Sequence, residues 1–227
     1  KLLHMERNRQ EFIYKLKQHK FSDADIDAAM FAYDLSKSAH RNQMRDAGER
    51  FFEHARDTAI ILLDEIGTSD INEVIALLLH DTGEDTGLFG NIKDSYQLFV
   101  RTATYRLTKT FNPFVADHVI RLTKPHVDGM YFKDKAVMMK FYISSLQEKF
   151  PTFILKMIDR LSNLRTLLLD NPEKITKQIK ETREVLLPAF YESYIRWIES
   201  RDLARYSVLI SKVEHELERL GKLVPVQ

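Results

Sequence analysis

Several features that define other classes of protein are missing from this sequence of 227 residues. It contains no cysteine, which excludes disulfides, thiolate metal sites and cysteine nucleophiles. Its 7 glycines and 6 prolines are few for an architecture of strands and turns. No apolar run approaches the ~20 residues that span a bilayer, and the N-terminal residues contain no apolar segment typical of a secretory signal. These absences favour a helical protein of the reducing cytoplasm with no membrane partner.

An excess of charge of either sign is also missing. The formal net charge is +1, so no global basic field favours binding to nucleic acid. Recognition of a phosphate group should therefore depend on a local site. Hydrophobic residues make up 44% of the chain, which is enough to build a sizeable core.

Apolar residues recur at helical spacing along most of the chain, and no strand pattern, linker or internal repeat interrupts them. We therefore expect one all-α domain of roughly ten helices. Residues 1–4 are expected to be an expression remnant before a natural start at Met5. The main domain should cover residues 5–200, with residues 201–227 forming a helix and tail packed on it. The predicted helices cover about residues 6–20, 22–40, 51–66, 70–81, 93–105, 113–122, 133–149, 152–169, 172–185, 188–200 and 202–220.

The chemistry is concentrated at Ile75–Thr86, where an apolar run leads to an adjacent His80 and Asp81. Gly83 is predicted to break the helix, and a second acidic pair, Glu84 and Asp85, follows at once. A nitrogen donor beside a carboxylate suits a divalent cation. A further carboxylate pair within one turn could position or deprotonate a water molecule.

Partner ligands for this pair occur on two other predicted helices. His54 and Asp159 could join His80 and Asp81 around one cation, and this mixed donor set suits Mn²⁺, Fe²⁺ or Zn²⁺. Each residue alone has a simpler interpretation: a solvated or capping side chain for a histidine, or an ion pair with Lys156 or Arg160 for Asp159. The four together favour a metal site.

The remaining histidines lack ligand partners at suitable spacing. We expect His40 to be structural rather than a support for the site. We expect the others to lie on the surface, namely His19, His118, His126 and His215.

Four stretches of the chain resemble the hydrolase domain of the RelA/SpoT family, a branch of the HD-domain metal-dependent phosphohydrolases. Residues 39–45 (AHRNQMR) are similar to the family's Ala-His-x-x-Gln-x-Arg segment, and residues 80–86 (HDTGEDT) to its His-Asp-Thr-x-Glu-Asp-Thr motif. Residues 122–124 (LTK) resemble its Leu-Thr-Lys segment. Residues 156–167 (KMIDRLSNLRTL) resemble its Lys-Leu-x-Asp-Arg-Leu-x-Asn-Met-Arg-Thr-Leu helix. The similarity covers about residues 25–190.

The resemblance implies an Mn²⁺-dependent enzyme that removes the 3′-pyrophosphate from guanosine tetra- and pentaphosphate, the signalling nucleotides of the stringent response. Because no synthetase or regulatory region follows in this sequence, we expect a stand-alone hydrolase. It leaves the oligomeric state open, with a homodimer among the options. The roles that it implies are metal ligands at His54, His80, Asp81 and Asp159, a water-activating pair at Glu84 and Asp85, base stacking by Arg45, and a nucleoside contact by Asn163.

The loop after Arg45 departs from the family pattern. Where the family continues Lys-Ser-Gly-Glu-Pro-Tyr, residues 46–51 here are DAGERF, and Ala55 rather than proline follows His54. These changes affect substrate recognition more than the metal set. Two alternatives therefore remain open: the same chemistry on another nucleotide, and a nucleotide sensor without catalysis.

Overall fold

A computed structural model describes residues 2–45, 48, 50–167, 171–197 and 203–223, with side chains from residue 8 onward. The described residues form one all-α domain without strands, which confirms the predicted fold class. The α-helices are α1 (Leu2–Gln18), α2 (Asp23–Ala39), α3 (Phe51–Ile61), α4 (Ile71–Leu79), α5 (Thr82–Asp85), α6 (Tyr96–Thr110), α7 (Pro113–Leu122), α8 (Lys135–Gln147), α9 (Phe150–Arg165), α10 (Pro172–Glu181), α11 (Leu187–Arg196) and α12 (Leu203–Leu223). The predicted helix ends at 168–169, 198–200 and 202, and the tail at 224–227, lie outside the described residues.

Helix ends follow the capping residues of the sequence. Ser22 and Asp25 form a capping box at the start of α2, and the Asp70 carboxylate accepts a hydrogen bond from Asn72 N–H at the start of α4. The predicted helix over 51–66 is not uniform, because its last turn, Leu62–Ile66, is a π-helix. A second π-helix, Thr182–Leu186, lies between α10 and α11. Both are single π turns, the form in which π-helices mostly occur, and each directly continues an α-helix.

Helices α4 and α9 form the centre of the bundle. From Val74 onward helix α4 is apolar on every side, and the helix contacts α2, α3, α7 and α9. Helix α9 is covered by α3, α7, α8, α11 and α12. The six residues Val74–Leu79 are at most 2% exposed, as expected for a helix that is hydrophobic all round. His80 and Asp81 follow α4 directly, so this packing fixes their position. Among the described residues, no helix combines the length and the apolar character needed to cross a bilayer.

Candidate functional site

The four residues predicted to surround a cation come together inside the bundle. His54 lies on α3, His80 and Asp81 follow α4, and Asp159 lies on α9. Asp159 Oδ1 is 3.0 Å from His54 Nε2 and 3.6 Å from His80 Nε2. Asp81 Oδ1 is 3.1 Å from His80 Nε2, and its Oδ2 is 3.9 Å from His54 Nε2. Three helices thus deliver two imidazoles and two carboxylates to one point.

Both imidazoles present the same nitrogen, Nε2, to this point. His80 Nδ1 donates to the carbonyl oxygen of Leu77 at 2.7 Å, which leaves Nε2 with a lone pair in the neutral ring. His54 Nδ1 lies 3.1 Å from the Ser162 hydroxyl, so its Nε2 also faces inward. Contacts of this kind hold a metal-ligating histidine in one tautomer and orientation.

The donor set fits a divalent cation. The ligand atoms of His54, His80 and Asp81 all lie within 4.8 Å of one another, about twice a metal–ligand bond length. His80 Nε2 is buried and makes no hydrogen bond in the described part of the chain. Burial lowers the pKa of His80, but the charges of Asp81 and Asp159 outweigh this effect and raise it to about 9. A site that favours a positive charge this strongly suits a metal cation.

Asp159 forms the predicted ion pair with Lys156 and also faces the two histidines. Its Oδ2 accepts from Lys156 Nζ at 2.8 Å, while Oδ1 faces the two histidines and accepts from Asn163 Nδ2 at 2.7 Å. Burial raises the pKa of the Asp159 carboxyl, but the Lys156 charge, the hydrogen bond with His54 and the nearby His80 hold it well below its usual range. Arg160, the other candidate ion-pair partner, pairs with Glu181 at 3.2 Å instead.

An open cleft of about 320 Å³ lies over the cluster, and only one member of the predicted acidic pair lines it. Glu84 lines the cleft and accepts the backbone N–H of Lys124 at 2.5 Å. Burial, opposed by Lys156 and assisted by Asp81, raises the pKa of Glu84 to about 7. Asp85 is exposed to solvent as a residue and is not part of the cleft wall. Partial burial of its carboxyl group and the nearby Asp81 nevertheless raise its pKa.

Gly83 does not break the helix as predicted. The interruption falls before it, at His80 and Asp81, and Gly83 lies inside the short helix α5. A Cβ atom at this position would fall inside van der Waals contact with the Thr123 hydroxyl, which itself donates to the Val119 carbonyl. The glycine is therefore needed for the close approach of α5 to the end of α7, which places Glu84 at the cleft.

The residues predicted to recognise a nucleoside form one wall of the cleft. Arg45 Nη2 donates to Asn163 Oδ1 at 2.5 Å, and the guanidinium lies 6.0 Å from the centre of the Phe51 ring. Arg45, Phe51 and Asn163 all line the cleft, so the predicted recognition residues lie beside the metal cluster. Of the loop that departs from the family pattern, Asp46, Ala47 and Glu49 lie outside the described residues.

Two lysines of the cleft were not among the predicted site residues. Lys156 is mostly buried, with 15% of its side chain exposed, and lies over the Tyr142 ring at 5.9 Å, while Lys174 also lines the cleft. Burial lowers the pKa of Lys156, but Asp159 and its other acidic neighbours raise it well above its usual range. The signal for Lys156 was its position three residues before Asp159 on one helix face.

One histidine predicted for the surface is buried. His118 is 4% exposed and its Nδ1 lies 2.8 Å from Thr152 Oγ1, because α7 packs that face against α9. Burial lowers the pKa of His118 to about 4. His126 and His215 are exposed as expected, and His19 is half-buried, 3.6 Å from Asp64.

The fold and cluster define a class of protein: a helical domain with a histidine–aspartate centre suited to a divalent cation. No protein-family model matches the chain. Curated sequences do match. The chain is 29% identical over 203 residues to the Mycobacterium tuberculosis bifunctional (p)ppGpp synthase/hydrolase RelA, covering 88% of this chain and 25% of that protein. It is 28% identical over 195 residues to the Escherichia coli bifunctional (p)ppGpp synthase/hydrolase SpoT, and the match covers 84% of this chain and 25% of that protein.

A third relative is more similar over a shorter stretch. It is the Aquifex aeolicus guanosine-3′,5′-bis(diphosphate) 3′-pyrophosphohydrolase, 32% identical over 158 residues, which covers 69% of this chain and 20% of that protein. A solved structure of a metazoan orthologue of SpoT is 20% identical with a TM-score of 0.49, covering 78% of this chain and 97% of that one. The chain spans about a quarter of the length of the first curated relatives. The sequence relatives confirm the resemblance to the RelA/SpoT family.

Proposed function

We propose that this chain is a metal-dependent hydrolase that removes the 3′-pyrophosphate from guanosine tetra- or pentaphosphate, releasing pyrophosphate and GDP or GTP. The observation that carries the proposal is the convergence of two imidazoles and two aspartates from three helices. The names of the RelA, SpoT and 3′-pyrophosphohydrolase relatives supply the substrate class.

His54, His80, Asp81 and Asp159 would hold the cation, which we propose to be Mn²⁺. The support is the donor chemistry, since a set of imidazole nitrogens and carboxylate oxygens suits Mn²⁺ along with Fe²⁺ and Zn²⁺. When bound, the cation would supply Lewis-acid activation of water and offset negative charge on the phosphate.

The chain's own residues would orient the reactants. The oxygen of a water molecule forms a bond to the phosphorus atom that is attached to the 3′ oxygen. The ester bond between this phosphorus and the 3′ oxygen breaks, which releases pyrophosphate. Glu84, at the cleft, would accept the proton from this water, and Asp85 would assist in passing it on toward the departing 3′ oxygen. Arg45 would stack its planar guanidinium on the guanine, and Asn163 would contact the nucleoside.

Two alternatives have specific motives. The departures at residues 46–51 favour a different nucleotide with the same chemistry, because an acid at position 46 replaces a cation in the substrate loop. A non-catalytic sensor is the other alternative. The carboxylate of Glu84 in the cleft argues against it, because a protein that only binds nucleotide needs no proton acceptor there.

The test is release of pyrophosphate from guanosine tetraphosphate by purified protein with Mn²⁺, beside a panel of nucleotides with 3′- and 5′-phosphates. We expect turnover of the tetraphosphate and none by His80→Ala. Turnover confined to another nucleotide would select the first alternative, and binding without turnover of any member of the panel would select the second.

A further inference from the structure

A second cavity, of about 330 Å³, lies between the C-terminal end of α2 and the start of α3. Its volume falls within the range of small-molecule sites, ~300–1,000 Å³. Tyr33 and Phe52 are buried in its wall and meet edge to face, with ring centres 4.6 Å apart. This cavity shares no lining residue with the catalytic cleft.

Positive charge surrounds the aromatic wall. The cavity is lined by four cationic side chains and two carboxylates. Both carboxylates have other contacts: Asp34 pairs with Arg9 at 2.9 Å, and Glu53 accepts the backbone N–H of Arg50 at 3.3 Å. The cationic residues are Lys37, Arg41, Arg50 and Arg56, of which Arg56 pairs with Asp57 at 2.8 Å. The excess of positive charge favours an anionic occupant.

A buried histidine completes the lining. His40 is 2% exposed, and its Nε2 makes no hydrogen bond in the described part of the chain. Its Nδ1 lies 2.5 Å from Gln43 Oε1, and its ring stacks on Phe51 with the centres 4.9 Å apart. A buried nitrogen without a partner is costly, and a ligand or water that contacts it removes that cost.

The first turn of α3 separates the two cavities. Arg50 and Phe52 line the second cavity, whereas Phe51, between them, lines the catalytic cleft under Arg45. We propose that the second cavity is a binding site for a nucleoside phosphate, distinct from the catalytic site. The phosphate would contact the cations at the rim, and the planar base would lie against Tyr33 and Phe52.

The test counts GDP molecules bound per chain by isothermal titration calorimetry in the presence of Mn²⁺, a measurement that needs no turnover. We expect two GDP per chain for the wild type. The charge-reversed double variant Lys37→Glu/Arg41→Glu should bind one GDP per chain. Its kcat should stay within twofold of the wild-type value, because neither residue lines the catalytic cleft. Arg45→Ala/Asn163→Ala should also retain one, and the combination of all four substitutions none.

Two controls separate phosphate recognition from general charge and from folding. Lys140→Glu/Lys177→Glu makes the same charge change at exposed positions and should still bind two GDP. Inorganic phosphate should compete for the second site, and guanosine should not. Binding of a single GDP by the wild type, lost entirely in Arg45→Ala/Asn163→Ala, would overturn the proposal and leave Lys37 and Arg41 as cations that complement the carbonyl end of α2. Because this outcome does not depend on hydrolysis, it is distinguishable from failure of the proposed enzyme function.

Discussion

Arg45 and Asn163, 118 residues apart in sequence, are joined by a hydrogen bond of 2.5 Å from Nη2 to Oδ1. Asn163 passes the contact on, because its Nδ2 donates to Asp159 Oδ1 at 2.7 Å. The proposed recognition residues are thus attached directly to the proposed metal cluster, and a substitution in this chain of contacts should affect both.

Arg45→Ala and Asn163→Ala should each raise KM for the tetraphosphate about tenfold, equivalent to ~1.4 kcal/mol of lost binding. Since the two side chains share a hydrogen bond, the double variant should lose less than the sum. Steady-state kinetics of the four proteins measures the coupling. Lys140→Ala, exposed on α8, is the control and should leave KM unchanged. Fully additive effects would mean that the hydrogen bond plays no part in recognition.

Glu84→Gln should lower kcat at least 100-fold, the usual lower limit for loss of a general base, while nucleotide affinity changes little. The amide keeps the shape and the contact with the backbone of Lys124 but cannot accept the proton. Single-turnover rates and calorimetric binding separate the two effects. Asp85→Asn should be milder, because Asp85 is not part of the cleft wall. An equal loss in both variants would place Asp85 at the reacting atoms.

Lys156→Met should destabilise the metal-free protein by about 3 kcal/mol, because it leaves the buried Asp159 carboxylate without its ammonium partner. Mn²⁺ should restore much of this loss, so the difference in Tm between Mn²⁺ and EDTA should widen relative to the wild type. Lys149→Met removes a more exposed lysine–aspartate pair, with Asp117 outside the cleft, and should leave that difference unchanged. A uniform fall in Tm for Lys156→Met, with and without Mn²⁺, would contradict Asp159 as a metal ligand.

Glu65→Gln tests a contact between the π-helix after α3 and the two helices α9 and α12. Glu65 accepts from Arg165 at 2.7 Å and pairs with Lys212 at 2.8 Å, and these contacts, Arg165 first, lower its pKa to about 2. Because the pKa of Glu65 is lower in the folded protein than its unfolded value of about 4.5, the charged carboxylate stabilises the fold at pH values above 4.5. This contribution is lost as the pH falls from 4.5 toward 2.

The variant should therefore lose about 1 kcal/mol of unfolding free energy at pH 7, and the gap from wild type should narrow below pH ~4.5. Urea unfolding of both proteins at pH 7 and at pH 3.5 measures this difference in unfolding free energy. Glu184→Gln, in an exposed pair with Lys180, should change little at either pH. A gap that stays constant with pH would show that the Glu65 charge is not the source of the stability.

Most helices were predictable because apolar spacing and capping residues are local signals, as at Ser22 and Asp70. The interruptions were not predictable in the same way. The π-helix at Leu62–Ile66 keeps the apolar pattern of an α-helix, and only packing shows the difference. The local properties of glycine predicted a helix break at Gly83. In the structure Gly83 instead leaves room for Thr123, which lies 40 residues away in sequence.

The candidate site shows the same division. The short motifs named the donors, and the structure brings those donors together. The sequence could not decide whether Asp159 forms an ion pair or belongs to the proposed metal cluster. In the structure the two contacts do not exclude each other, because Oδ2 of the carboxylate pairs with Lys156 and Oδ1 faces the histidines. His118 was mistaken for a surface residue because an isolated histidine carries no sign of burial; the packing of α7 on α9 decides it.

The position of Asp159 on α9 also has a consequence during synthesis. Both histidines and Asp81 leave the ribosome long before the helix that brings the second aspartate to them. A nascent chain that stops before α9 carries three of the four side chains but lacks one of the two central helices of the bundle. The complete cluster can therefore serve as a late indicator that the bundle has closed.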